Sequence, residues 1–378
     1  MEPRPPNACT TDPELSVRVS GACTSRRPLE SRALRVYLWV FALATFCLVM
    51  LGGTVTSKGA GLAVPDWPTT FDQNMFLFHP RDWVGNIFWE HSHRLLGSLV
   101  GVLSIGAATW LALTRDAHRR RWARFAFITL LLIIVQGIMG GLRVTELSIP
   151  LAVMHGITGQ VILSATVLLA ASAQLPAQPA QAPTGPDLRW PTLLLALAIL
   201  IQLTLGSAMR HTNSGLAIPD FPAMYGGLLP PLEQQAIDRA MSGYALTHER
   251  FEFANHGFKP WQVGVHLAHR LGAAAVSIVA VWALARVLRS GVSALRGPAW
   301  VLAATIPMQA LLGASVIWTH RHPEVATGHQ SLGALILAAS VVLAARAVAA
   351  KPRRVPSMSP QLAQAQRLPA PAAVGGAA

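Results

Sequence analysis

Charge is what this sequence has least of. Asp, Glu, Lys and Arg make up 12% of its 378 residues, about half of the ~25% that an ordinary soluble domain carries. That scarcity excludes a solvated globular fold and leaves a membrane protein. Cysteine is equally sparse. Cys9 and Cys23 lie in the N-terminal tail and Cys47 inside an apolar run, so no disulfide framework is expected. No Cys-x-x-Cys-His occurs, which excludes covalent c-type heme attachment. Acidic residues number 17 against 30 basic ones, a formal charge of +13. Such an excess can mark a nucleic-acid binder, but its distribution argues against one.

What the chain has in quantity is apolar length. Of its residues, 52% are hydrophobic, and runs of about 18 or more read as transmembrane helices. Eight are expected, near 36–55, 88–113, 124–142, 152–173, 190–208, 264–285, 298–318 and 327–347. The basic residues concentrate in 1–35, 114–123, 174–189, 286–297 and 346–378. Lys and Arg favour the cytoplasmic side, so both termini are expected there. The polar tail before the first run is too long for a simple signal peptide, and that run is expected to stay as an anchor. Residues 1–35 and 348–378, rich in Pro, Arg and Ala, are expected to be disordered.

The chain also repeats itself. GLAVPDWP at 61–68 returns as GLAIPDFP at 215–222, QGIMGGLRV at 136–144 as QALLGASVI at 309–317, and EHSHR at 90–94 as HLAHR at 266–270. The Pro/Ala/Gln stretch 174–189 divides the copies. A four-helix repeat crosses the membrane an even number of times, so both copies keep one orientation. The expected architecture is all-α: two tandem four-helix bundles, 36–173 and 190–347, related by a pseudo-two-fold along the membrane normal. The second outer loop, 209–264, is longer than a connection requires.

Four helices are expected to enter from the outer face with a histidine in their first turns: His93, His155, His269 and His329. A single histidine in such a helix is often an interior hydrogen-bonded residue. Two pairs at matching places in a duplicated bundle point instead to axial ligation of a flat macrocycle, one heme per half. Zinc is the weaker alternative, since only Glu90 and His266 are at hand as further ligands. Arg94 and Arg270 follow their histidines in both copies. They are candidates for holding heme propionates, whose geometry a guanidinium matches, or for anchoring at the interface. Glu90 lies three residues before His93, on the same helix face. It reads either as a first-turn acid favoured by the helix dipole or as a proton-accepting catalytic carboxylate. At the corresponding place the second copy has His266. That difference points to one reactive site and one accessory site. His91 is expected to be structural or loop-facing. His79, His118, His211, His248, His256, His320 and His322 are placed in loops without a role. Asp66 and Asp220 read as turn formers.

Together, EHSHR, the GLAVPDWP/GLAIPDFP pair, HLAHR and Gly328-His329-Gln330 resemble the heme A synthase family over about 52–345. The resemblance implies oxidation of the ring C8 methyl of heme O to the formyl group of heme A by successive hydroxylation, the gem-diol losing water. It implies that His93 and His155 flank the substrate heme, that Glu90 is needed for turnover, and that His269 and His329 ligate a heme b cofactor. Some members carry cysteine pairs in the outer loops; this chain resembles the cysteine-free branch. The implied partners are heme O synthase (the protoheme farnesyltransferase), cytochrome oxidase assembly factors and the lipid bilayer, with no nucleic acid and with room for a homo-oligomer. The implied location is a bacterial-type cell membrane or the inner mitochondrial membrane. A diheme b-type electron carrier explains the four histidines equally well but not Glu90. A parallel-repeat transporter is a third class, though the chain lacks a broken-helix pattern or midplane charges.

Overall fold

A computed structural model describes residues 28–115, 117–172, 186–247 and 257–350. Among them, eight helices are long and apolar enough to cross a membrane. They are α1 (Pro28–Ser57), α2 (Gly85–Leu113), α4 (Ala123–Thr145), α5 (Ile149–Ser172), α6 (Arg189–His211), α8 (Pro260–Arg289), α9 (Ser293–Trp318) and α10 (Pro323–Ala349). Two shorter helices complete the set: α3 (Ala117–Arg120) and α7 (Gln234–Thr247).

All eight expected spans are present, and each extends beyond its apolar run. Hydropathy marks only the stretch that needs lipid, whereas the backbone stays helical until a cap or turn stops it. The largest difference is at the start. Of the tail assigned to 1–35, residues 28–35 are helical, because Leu34 packs with Leu38 and Phe41 into the first core. Residues 1–27 with Cys9 and Cys23, most of the 174–189 linker, the tail from 351, and His248 and His256 lie outside the described residues. The long second loop is partly ordered by α7, which sequence periodicity did not reveal.

The helices pack as two rings. In the first, α1 lies on α2 and α5, and α4 on α2 and α5; in the second, α6 lies on α8 and α10, and α9 on α8 and α10. Each ring has its own apolar core. Leu38, Phe41, Val100, Leu111 and Leu169 fill the first, and Leu195, Ile199, Leu284, Leu302 and Leu343 the second. α10 also packs on α5 and α1 of the first ring, and it is the most buried span, with 56% of its apolar window inside the protein. Elsewhere large apolar residues face outward, among them Val102, Ile278 and Val281, as lipid-facing helix surfaces require.

A third, smaller core lies in the second loop. Ile237 and Met241 of α7 pack on Leu216, Ile218, Phe258 and Val263. The first loop, 58–84, has no such cover and leaves Phe76 and Leu77 exposed at 64% and 78%.

Candidate functional site

The two loops that open on the rings are built alike. In each, an aspartate gathers the turn that follows it. The Asp66 carboxylate accepts hydrogen bonds from the Phe71 and Asp72 amides at 2.8 and 2.9 Å. The Asp220 carboxylate accepts them from the Tyr225 and Gly226 amides, both at 2.7 Å. Trp67-Pro68 and Phe221-Pro222 are both cis. Burial works against the charge on Asp66, but the bonds from Thr69, Asp72 and Phe71 outweigh it and hold its carboxyl below the ordinary value.

Arg94 and Arg270 clasp these turns. Arg94 donates to the carbonyls of Val64, Asp66 and Thr69 at 2.8, 2.6 and 3.0 Å. Arg270 donates to Ile218, Asp220 and Ala223 at 3.2, 2.5 and 2.9 Å, the corresponding carbonyls of the second copy. The donors that sequence offered to propionates are therefore engaged by the protein's own backbone.

Glu90 and His266 complete the clasp in the same way. One Glu90 oxygen accepts from the Val64 amide at 2.9 Å and the other from Arg94 at 2.9 Å. His266 Nδ1 accepts from the Ile218 amide at 3.1 Å, which leaves the proton of the neutral ring on Nε2, 3.3 Å from Arg270 Nε. Both side chains are buried, at 4% and 2% exposure. Scaffold and partners agree, and only the chemical group differs.

The four histidines share a further device. Each imidazole lies against a glycine of the neighbouring helix. A Cβ on Gly52 would stand 2.9 Å from His93 Cε1, and one on Gly140 2.9 Å from His155 Cε1. On Gly206 and Gly313 it would stand 3.0 Å from Cε1 of His269 and His329. Any side chain at these four places collides with a ring, so the glycines are seats. His93 and His155 are within electrostatic reach of each other, as are His269 and His329. Nδ1 of His93, His155 and His329 is buried and makes no hydrogen bond of normal geometry.

Behind three of the seats stands a glutamine, one turn earlier. Gln136 Nε2 donates to the His155 carbonyl at 2.7 Å, Gln202 Nε2 to the His269 carbonyl at 2.9 Å, and Gln309 Nε2 to the His329 carbonyl at 2.9 Å. At the fourth place the residue is Leu48. The Oε1 atoms of all three glutamines are buried without partners.

Sequence reasoning also passed over a basic cluster where the rings meet. Arg143, at the end of α4, reaches Glu90, His93, His155 and His211 electrostatically. Arg210 ties the rings together, donating to Gln330 Oε1, the Gly53 carbonyl and Ser57 Oγ, each at 2.5 Å. His211, assigned to a loop, is the last residue of α6. The recurrence of Arg near helix ends was the available signal, but charge at a helix end reads first as topology. His91 is structural: it is fully buried, 3.3 Å from Thr70 Oγ1, with the Phe78 and Trp83 rings against it. Trp67 lies against Gly141 of α4, where a Cβ would meet its indole at 2.2 Å.

A polytopic helical membrane protein with two buried histidine pairs and a carboxylate beside one of them is the class that this fold and site define. The chain belongs to the COX15-CtaA family, described as cytochrome oxidase assembly protein, whose sequence model matches residues 35–341. It is similar to heme A synthases from Rhodopseudomonas palustris strain HaA2, at 26% identity over 88% of this chain and 95% of the relative, and from Allorhizobium ampelinum, at 28% over 84% and 91%. A third, from Symbiobacterium thermophilum, is 29% identical over 72% of this chain and 82% of the relative.

Proposed function

We propose that this protein is a heme A synthase, oxidising the ring C8 methyl of heme O through hydroxymethyl and gem-diol stages to a formyl group for cytochrome oxidase. The observation that carries the reading is the glycine-seated histidine pair in each ring, with Glu90 beside the first and His266 at the same place beside the second. The two rings are read as tandem bundles, 36–173 and 190–347, related by a pseudo-two-fold along the membrane normal, with both termini cytoplasmic in a bacterial-type cell membrane.

The residues fit hemes. Four buried imidazoles, each seated closely on a glycine of the neighbouring helix and three of them with an unpaired Nδ1, suit a flat group that would be held between helices. In the first ring His93 and His155 hold the substrate heme O. In the second, His269 and His329 hold a resident heme b, which when bound supplies one-electron transfer. Glu90 lies one turn from His93, so its carboxylate stands beside the substrate and accepts a proton released as the methyl carbon is oxidised. Val64 and Arg94 fix that carboxylate in place. Arg94 and Arg270 act through the loops they clasp, and the first of these loops lays Trp67 against Gly141 of α4. The heme O-making farnesyltransferase is the natural upstream partner, because its product is this substrate.

The test is expression in a host that makes heme O but not heme A, followed by pigment extraction. Heme A is expected with the wild-type chain and not with His93→Ala. A chain that retains both hemes yet forms no heme A is the electron carrier instead.

A further inference from the structure

One histidine of the four is held differently, and the difference lies in the reactive ring. His155, His269 and His329 each sit on a helical turn whose carbonyl takes a hydrogen bond from a glutamine of the neighbouring helix, at 2.7–2.9 Å. For Gln202 the amide also stands 3.1 Å from His269 Nδ1. These bonds tie the ligand-bearing turn to the helix that supplies its glycine seat. His93 has the seat, Gly52, but not the tie: the residue one turn before Gly52 is Leu48.

The space for a tie is nevertheless there. Gln136 and Gln309 fit because glycines four residues after their histidines, Gly159 and Gly333, leave room: a Cβ there would meet the amide nitrogen at 3.3 and 3.0 Å. Four residues after His93 is also a glycine, Gly97, and its nearest neighbour is Leu48 Cδ1 at 4.0 Å. The glycine that makes room for a glutamine in the other seats is kept, and an apolar side chain faces it. Steric need does not account for Leu48.

We propose that Leu48 makes His93 the exchangeable ligand of the substrate heme: α2 carries it on a turn whose carbonyl takes no side-chain bond from α1, so it can leave the iron while His155 stays. Release opens a coordination position in the first ring only, and the second ring, tied at both histidines, keeps its heme closed. Leu48 is then a positioning residue that acts by withholding a hydrogen bond. The proposal rests on the reading that His93 and His155 ligate a heme.

The experiment is carbon monoxide titration of the purified, heme-loaded full-length protein after dithionite reduction, followed in the Soret band. In the wild type, carbon monoxide is expected to shift only the share of the band that disappears in His155→Ala. Leu48→Gln should weaken that binding about five-fold or more, the factor that one ordinary hydrogen bond provides. Gln202→Leu should make the second heme newly sensitive to carbon monoxide. The proposal is overturned if both hemes of the wild type bind the gas alike, or if Leu48→Gln retains both hemes with unchanged affinity. Should Leu48→Gln lose its heme, Gln202→Leu decides alone, and an unresponsive second heme overturns the proposal. The readout does not depend on making heme A. A protein that shows the asymmetry but makes no heme A refutes the enzymatic reading only; one that makes heme A with symmetric binding refutes this proposal only; one that binds no heme refutes both.

Discussion

The two rings place the same bonds around different chemistry. In the first, a loop amide and an arginine meet a carboxylate, Glu90; in the second the corresponding amide and arginine meet an imidazole, His266. The loop amide needs an acceptor at that position, and either group supplies one; only the carboxylate can also accept from the arginine. What the exchange alters is charge and proton affinity beside the histidine pair. A second exchange, Leu48 for the glutamines of the other three seats, leaves the His93 turn of that same pair without a side-chain bond to its carbonyl. A third lies above: the second loop carries α7 with its small apolar core, whereas the first loop has no helix of that length and packs Phe78 and Trp83 on His91 instead. These departures from the repeat all fall beside the His93–His155 pair or in the loop above it.

That contrast can be broken by transplanting residues between the rings. The largest effect is expected from Glu90→His, which copies the second ring. Truncation to alanine would leave Arg94 buried without its partner, at a cost of about 3–5 kcal/mol. Histidine keeps one of the two donors bonded, since a neutral imidazole has a single acceptor nitrogen, as His266 does in the second ring. The protein should fold and retain its hemes, while heme A formation falls by at least ~100-fold, as for loss of a positioned proton-transfer group. Normal heme A in pigment extracts of Glu90→His would mean that the carboxylate serves the loop alone.

His269→Ala comes next. It should remove the second heme and spare the first, so the heme-to-protein ratio measured by pyridine hemochrome should fall by about half. Loss of both hemes would show that the rings do not bind independently.

Smaller, and equal in the two rings, is the effect of filling a seat. Gly52→Ala and Gly206→Ala each bring a methyl to within 2.9–3.0 Å of an imidazole carbon. The strain of such overpacking is about 1–3 kcal/mol, and each variant should lower the temperature at which its own heme is released. Gly137→Ala, where nothing lies within 4 Å, is the control and should be neutral or mildly stabilising. Heat-induced heme release that does not separate seat from control would remove the glycines from the site.

The smallest effect belongs to the first loop. The Asp66 carboxyl is held below its ordinary value, so its contribution is complete above the unfolded value of about 3.8 and is lost as pH falls through the lowered folded value. Protease protection of residues 58–84 should therefore weaken only in acid, and Asp66→Asn should abolish that dependence. Loosening near neutral pH would assign the turn's stability to another group.

Much of this was legible in the chain. Run lengths located the eight spans, and repeated strings such as GLAVPDWP and GLAIPDFP exposed the duplication, because both are properties of order along the sequence. The pairing of His93 with His155, and the exchange of Glu90 for His266, followed from aligning the copies. Arg94 was read towards a propionate because its proximity to His93 is visible in one dimension. Its three carbonyl partners lie in a loop whose path is not. The glycine seats were present in the aligned strings as Gly140 and Gly313, yet a small residue in a membrane helix ordinarily signals close packing and nothing more specific.

The sequence by itself determined that this is a duplicated eight-span helical protein with four matched histidines and one unmatched carboxylate. Hydrophobic length and repetition are local and need no partner to be read. Which glycine receives which imidazole, which glutamine bonds which carbonyl, and that Leu48 alone withholds that bond were decided by tertiary structure. Those relations depend on the rotation of each helix about its axis and on its depth against its neighbours, and packing of all eight helices together sets both.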